Sequence, residues 1–237
     1  MTLLVAAVSQ ADSGPSCYSR LVNDWVCGAY LQDRRQELVD ATVQHLWITF
    51  VAVALGVALA FPLALLARRY ARLRSTVVGV STGLYTIPSL ALFPLMVPFT
   101  GITATTVVIG LALYALTILV RSVLDGLASV PDDVRESATG LGYSASGRLF
   151  RIELPLAIPV IMGGLRVATV STVALTTVGT LVAHGGLGNL IADGVLTNFR
   201  AELLAACVLC VLIAVALDVL LVLAQRALTP WSRGRTT

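Results

Sequence analysis

Pro131-Asp132-Asp133-Val134-Arg135-Glu136-Ser137-Ala138-Thr139-Gly140-Leu141-Gly142, with the return to apolar sequence at Ile152-Glu153-Leu154-Pro155, interrupts a 237-residue chain that is otherwise strongly hydrophobic. The segment around it, residues 121–158, is too polar to cross a bilayer, so the long apolar stretches on either side must be separate sets of membrane spans. Pro131 suits the first turn of a helix, and Asp132, Asp133 and Glu136 stand where the helix dipole favours carboxylates, which predicts a helix from about Asp132. Ser137, Ala138, Thr139 and Gly140 have little bulk, so a partner surface can approach their backbone closely, while Gly142 and Gly147 let the chain turn away. Phe150 and Ile152 can pack on the bilayer edge, and Leu154-Pro155 opens the next helical segment, with Pro159 a place for a bend.

The composition agrees with a membrane protein: 57% of residues are hydrophobic and only 12% charged, about half the roughly 25% usual in soluble domains. Five runs are long enough for the roughly 20 residues that a transmembrane helix needs: residues 46–67, 75–96, 102–120, 159–183 and 203–224. The predicted fold is therefore an all-α integral membrane protein with five transmembrane helices. Before them lies an N-terminal segment, residues 1–45, and after residue 230 a short tail, 231–237. All 16 basic Lys or Arg positions are arginine. Without lysine there is no phosphate-cradling Gly-x-x-x-x-Gly-Lys loop, so any ATP is bound by another chain. The net charge of +3 is spread along span ends and gives no nucleic-acid footprint.

Arginine placement sets the orientation. Arg68, Arg69, Arg72 and Arg74 follow the first span, Arg121, Arg135, Arg148 and Arg151 lie between the third and fourth, and Arg226, Arg233 and Arg235 close the chain. The opposite face holds Arg20, Arg34, Arg35 and Arg200, so the positive-inside rule puts the N-terminus outside and the C-terminus inside. Trp47 and Trp231 fall near opposite span ends, as interface-seeking indoles should.

The first residues, Met1 to Val8, lack the basic start and core length of a secretory signal and are expected to be retained. Leu31, Leu38, Val39, Thr42 and Leu46 recur among Asp33, Arg34, Arg35 and Glu37, which predicts an amphipathic helix on the outer surface leading into the first span. Cys17 and Cys27 lie on the side where disulfides persist and are predicted to pair, with two free thiols as the alternative. Cys207 and Cys210 sit inside an apolar run and the only histidines are His45 and His184, so no metal site is expected. Catalytic residues are expected to be none.

The spacing of Glu136-Ser137-Ala138, Gly142 and Ile152-Glu153-Leu154-Pro155 resembles the EAA loop of ABC importer permeases, with Ser137 where alanine is usual. The resemblance implies a cytoplasmic loop that docks an ATPase through Glu136, Ser137, Ala138, Thr139, Gly140, Gly142, Leu154 and Pro155. It extends further. Thr86-Ile87-Pro88-Ser89-Leu90-Ala91-Leu92 and Gly185-Gly186-Leu187-Gly188-Asn189-Leu190-Ile191 are similar to the osmoprotectant importer permeases, over roughly Leu38 to Pro230. Tyr85 stands where glutamine is common and His184 where small residues prevail, departures that bear on substrate preference.

That resemblance implies a type I importer fold in a bacterial cytoplasmic membrane, carrying glycine betaine, choline, carnitine or related solutes. It also implies two ATPase subunits using ATP and magnesium, a second permease subunit, identical or paralogous, and an extracytoplasmic binding protein; this chain itself needs no cofactor. Methionine or ergothioneine import is the nearer alternative, and a membrane-embedded enzyme the remote one.

Pro88, Pro94 and Pro98 interrupt the hydrogen-bond ladder of the second span, and carbonyls freed at membrane depth are tolerated only against protein or a water-filled cavity. Tyr85, Thr86, Pro88 and Ser89 are therefore candidate pathway residues, with helix packing as the alternative. Gly185, Gly186 and Gly188 suit an outer gate loop or a flexible turn. Arg166 and Asp218, at comparable depths in the fourth and fifth spans, are predicted to pair, the alternative being independent snorkelling.

Overall fold

The computed structural model describes residues 16–231; Met1 to Val8 and the last arginines, Arg233 and Arg235, lie outside the described residues. Among the described residues regular structure is helical throughout. Two helices open it, α1 (Gly28–Asp33) and α2 (Arg35–Arg69), separated only at Arg34 (φ −104°, ψ 19°). The helix expected over Leu31 to Leu46 does lead straight into the first span, but it is interrupted at Arg34. No glycine or proline stands between Arg35 and Leu46 to end a helix, so those residues form the first turns of the span helix itself. At 35 residues α2 is about 52 Å long, well beyond the roughly 30 Å of a bilayer core.

The second predicted span is also corrected: it is two helices, α3 (Ala71–Thr86) and α4 (Ser89–Thr100), whose axes differ by 100°. The cause is local. Ile87 precedes a proline and takes the extended conformation that proline imposes on its neighbour (ψ 122°), and Pro88 begins the next helix. Pro94 and Pro98 stay inside α4, so each lacks an N–H to donate but the helix itself breaks only at Pro88. Gly101 (φ 76°) then turns the chain into α5 (Ala104–Ala128).

Helix α5 is the axis of the molecule, with buried residues on almost every turn from Thr106 to Leu127. Its neighbour α2 offers a stripe of small buried residues four apart, Ala52, Gly56, Ala60 and Ala64, the spacing that brings two membrane helices into close contact. A side chain on Gly56 would already sit 3.1 Å from Ala115 Cβ and 3.2 Å from Leu119 Cδ1. On its other side α5 closes on Ala157, whose carbonyl lies 3.1 Å from where a Cβ on Gly126 would stand.

After α5 come α6 (Asp132–Gly140) and α7 (Ala145–Arg148), then a π-helical turn (Leu149–Glu153) that passes without a break into α8 (Leu154–Thr176) and a 3₁₀ segment (Thr177–Val182). Gly142 (φ 84°) makes the turn out of α6, whereas Gly147 is helical, so the second expected turn is absent. Pro155 follows directly on the π-helical turn inside this continuous helical run, with no N–H to donate to the preceding turn, and the run begins ahead of the predicted start at residue 159. Helices α9 (Leu187–Leu196) and α10 (Arg200–Leu228) complete the chain. The ends of α2 and α5 and the start of α8 gather at one end of the bundle, below called the loop end. A disulfide joins Cys17 to Cys27 at the opposite end (Cα–Cα 5.7 Å).

Candidate functional site

At the loop end α6 is held by its own charges. Arg135 Nη1 donates to Asp132 Oδ1 at 2.7 Å, and Arg135 Nη2 donates to the Leu127 carbonyl, near the end of α5, at 2.6 Å. Asp132 and Asp133 occupy the first turn, where the positive end of the helix dipole lies. The helix presents Glu136, Ser137, Thr139 and Gly140 to solvent and turns Ala138 inward, 3% exposed. Gly142 is exposed as well, while Leu154 and Pro155 are half-buried where the chain re-enters the bundle. The candidate residues thus divide into an outward face and an anchor.

Glu136 makes no hydrogen bond or ion pair among the described residues. A Cβ built on Gly140 meets nothing within 4 Å, so the fold itself does not demand glycine there. Beside them Leu141 is 79% exposed and Phe150 55%, large apolar side chains on an otherwise hydrophilic knob. Leu141 was not identified from sequence. The signal available is one leucine between two glycines in a polar segment, which shows its isolation only when folded.

The second residue that sequence reasoning left without a role is Glu153, 1% exposed at the base of the segment. Arg148 Nε donates to its Oε1 at 2.8 Å, Arg68 from the end of α2 contacts its Oε2, and Arg135 Nε lies 4.0 Å from the same oxygen. Arg148 also donates through Nη1 to Thr139 Oγ1 at 2.8 Å. One buried carboxylate therefore ties α2, α6 and the start of α8 together, and a charge so enclosed is tolerable only because guanidinium groups surround it. A groove of about 430 Å³ lies between α6 and Arg148 of α7, lined by Glu136, Thr139, Gly140 and Arg148.

Within the bundle, Tyr85 is 47% exposed and meets Tyr114 edge-on, ring centroids 5.7 Å apart. Tyr114 Oη donates to the Ile87 carbonyl, satisfying an acceptor freed where the helix breaks before Pro88. Thr86 Oγ1 donates to Gly83 O at 2.7 Å, and Ser89 lies half-buried at the start of α4.

Gly185, Gly186 and Gly188 are buried, not a loose turn. Gly185 N donates to Asn189 Oδ1 at 3.0 Å, and Gly186 (φ 55°) would place a Cβ 2.7 Å from His45 Cβ. A Cβ on Gly188 would lie 2.3 Å from Thr177 O, so the loop needs glycine in order to press against α2 and the 3₁₀ segment. His184 Nδ1 donates to Val182 O at 2.7 Å. In the spans, Arg166 makes a two-pronged contact with Asp218, 2.8 Å and 2.9 Å. No group of three potential metal ligands is assembled among the described residues.

Residues 42–234 match the family described as the binding-protein-dependent transport system inner membrane component. The osmoprotectant import permease protein OsmW of Salmonella typhimurium is 37% identical over 206 residues, 85% of this chain and 96% of that protein. The glycine betaine/carnitine/choline transport system permease protein OpuCD of Bacillus subtilis is 34% identical, covering 86% of this chain and 89% of its own length. Among solved structures, an inward-facing MetNI methionine ABC transporter superposes with a TM-score of 0.76 at 22% identity, over 84% of this chain and 99% of that one. An amino acid ABC transporter crystallised with histidines gives 0.71 at 18% identity, over 85% and 99%. The backbone is thus that of a type I importer permease, in a multi-pass protein of the cytoplasmic membrane, and ATP is used by a partner ATPase. With the polar knob, the helical bundle and these likenesses in agreement, the chain belongs to the binding-protein-dependent transport inner membrane components and is an ABC transporter permease subunit, not an enzyme.

Proposed function

We propose that this chain forms half of the transmembrane route by which an ABC importer takes up osmoprotectants such as glycine betaine, choline, carnitine or proline betaine. Two ATPase subunits engage the knob made by Glu136, Ser137, Ala138, Thr139, Gly140 and Gly142, with Leu154 and Pro155 anchoring it. Magnesium and ATP belong to those subunits. A second permease, identical or paralogous, completes the pathway, and an extracytoplasmic binding protein delivers solute to the disulfide end. In this reading the loop end faces the cytoplasm, in accord with Arg68, Arg69, Arg72, Arg74 and Arg226 at that end. Tyr85, Thr86, Pro88 and Ser89 border the route, and Gly185, Gly186 and Gly188 brace its outer gate.

The observation that carries the reading is the contrast between an outward face without internal partners, Glu136 and Leu141, and the buried Glu153 that fixes its base. A projecting, unsatisfied face on a rigid footing suits the transmission of force from another protein. The solute class is supported by the named roles of the 34–37% identical relatives. The methionine alternative has only fold likeness at 22% identity behind it. The test is uptake of labelled glycine betaine, choline, carnitine and methionine by vesicles containing the complex purified through this chain. ATP-dependent uptake of an osmoprotectant is expected; uptake of methionine alone would overturn the solute class.

A further inference from the structure

Arg121 is charged, lies within the candidate span Ala104–Ala128 and has no acidic partner among the described residues. It sits seven residues before the end of α5, about 10 Å in from the loop end at about 1.5 Å per residue. Its Nη2 donates to Thr82 Oγ1 at 2.7 Å, and Thr82 is eleven residues past the start of α3, about 16 Å in by the same measure. The side chain therefore reaches sideways to the neighbouring helix instead of snorkelling toward the interface. Among the described residues no carboxylate lies within ion-pair distance of it, whereas Arg166, also within a span, is met by Asp218.

An exposed, unpaired guanidinium is too costly to face hydrocarbon at that depth, so this face of α3 and α5 meets water or protein. The rest of the face agrees. Tyr114, Thr117 and Arg121 follow one another at helical spacing along α5, and each bonds to α3 or to the break after it: Tyr114 to Ile87 O, Thr117 Oγ1 to Ser81 O at 2.7 Å, Arg121 to Thr82. Side chains built on Gly79 or Gly83 would meet nothing within 4 Å, so α3 leaves open space beside them. A polar stripe thus runs from the aromatic pair Tyr85 and Tyr114 at the helix break down to an arginine.

We propose that Arg121 is a carboxylate-binding station on the solute route, which deepens the pathway reading above and rests on it. The guanidinium fork has donors to spare beyond Thr82 and matches a carboxylate in two-pronged fashion. The aromatic pair attracts a quaternary ammonium. The two stations are two helical turns apart on α5, about 10 Å, farther than the charges of a small betaine, so a zwitterion meets them in succession. A solute that carries a quaternary ammonium but no carboxylate, such as choline, uses only the first. The occupant is accordingly a zwitterionic ammonium carboxylate.

The test compares uptake of glycine betaine, carnitine and choline at saturating solute by vesicles containing the whole complex, for wild type, Arg121→Gln, Arg121→Lys and Thr82→Val. Arg121→Gln is expected to lower the ratio of carboxylated-solute to choline uptake at least about tenfold, the size of a lost charge-assisted contact. Arg121→Lys should fall between, and Thr82→Val, which frees the arginine without removing it, should shift the ratio less in the same direction. If the wild type moves only carboxylated solutes, Arg121→Gln must lower that uptake while binding-protein-stimulated ATP hydrolysis persists. Equal loss for choline and the carboxylated solutes, no change in either, or a wild type that moves choline alone overturns the station. So does restoration of uptake by the charge exchange Arg121→Asp with Asp125→Arg, which would show that the exposed Asp125, one helical turn on, is the true partner. A wild type that moves none of these solutes defeats the pathway reading itself, a separate outcome.

Discussion

Arg148 holds Glu153 through Nε at 2.8 Å while its Nη1 reaches Thr139 in α6, so one side chain spans the base and the projecting arm of the polar knob. Because Arg68 meets the same carboxylate, α6 is linked through Arg148 and Glu153 to the end of the first span. Replacing Glu153 by Gln leaves three guanidinium groups without their common anion. Breaking a buried pair from one side costs about 3–5 kcal/mol, and the loss here is expected toward the lower end because the arginines are part-exposed. Thermal unfolding of the purified complex should show the loss, together with ATP hydrolysis that no longer drives uptake. Glu153→Gln with unchanged melting and uptake would remove the proposed joint.

Two glycine positions should respond in opposite ways. Gly140→Ala enters open space and adds a good helix former, so stability should hold or rise, by at most about 1 kcal/mol, while ATPase co-purification weakens. Gly188→Ala drives a methyl into the Thr177 backbone and should cost about 1–3 kcal/mol, with ATPase binding intact in whatever folds. Melting and pull-down of the two variants side by side separate a docking glycine from a packing glycine.

The pair between Arg166 and Asp218 predicts reciprocal rescue. Either charge reversal alone leaves two like charges facing each other within the bundle, and a charge unpaired in a span costs about 2.5–3.5 kcal/mol. The double reversal Arg166→Asp with Asp218→Arg should recover most of the folded yield and uptake. A double variant as defective as the singles would show that the two charges act independently.

The disulfide closes a loop ten residues long at the end opposite the knob. Replacing Cys17 and Cys27 together by Ser should lower local stability by about 2–3 kcal/mol, seen as faster proteolysis between residues 16 and 34. In sealed cells, a reductant that cannot cross the membrane should produce the same susceptibility. Resistance to that reductant with sensitivity to a permeant one would place this end inside.

The five-span, all-helical class was readable in the sequence because an apolar run of some twenty residues admits few other structures. Boundaries were not. Leu31 to Leu46 read as one helix leading into the apolar run, and from Arg35 onward they are that, but no glycine or proline announces the interruption at Arg34. Three prolines in the second span look equivalent in sequence. Only Pro88 breaks the helix, since its predecessor Ile87 is extended and Tyr114, from another helix, takes up the freed carbonyl. The small outward residues of α6 were visible as a local pattern. Glu153 was not, because the Arg68 that makes its burial tolerable lies 85 positions earlier, a proximity no local spacing reveals. Arg121 looked like one of a cluster of loop arginines until the structure set it inside α5.

A single cysteine at Ser137, on the exposed face of α6, offers the decisive measurement. Ser137→Cys in the intact complex is treated with a membrane-impermeant maleimide, in right-side-out and inverted vesicles, with the ATPase subunits present or stripped away. Labelling only in inverted vesicles, and only after the ATPase is stripped, is the expected result. Labelling from the outside, or labelling indifferent to the ATPase while uptake remains intact, would contradict the assignment of this knob as the point where the motor engages the permease.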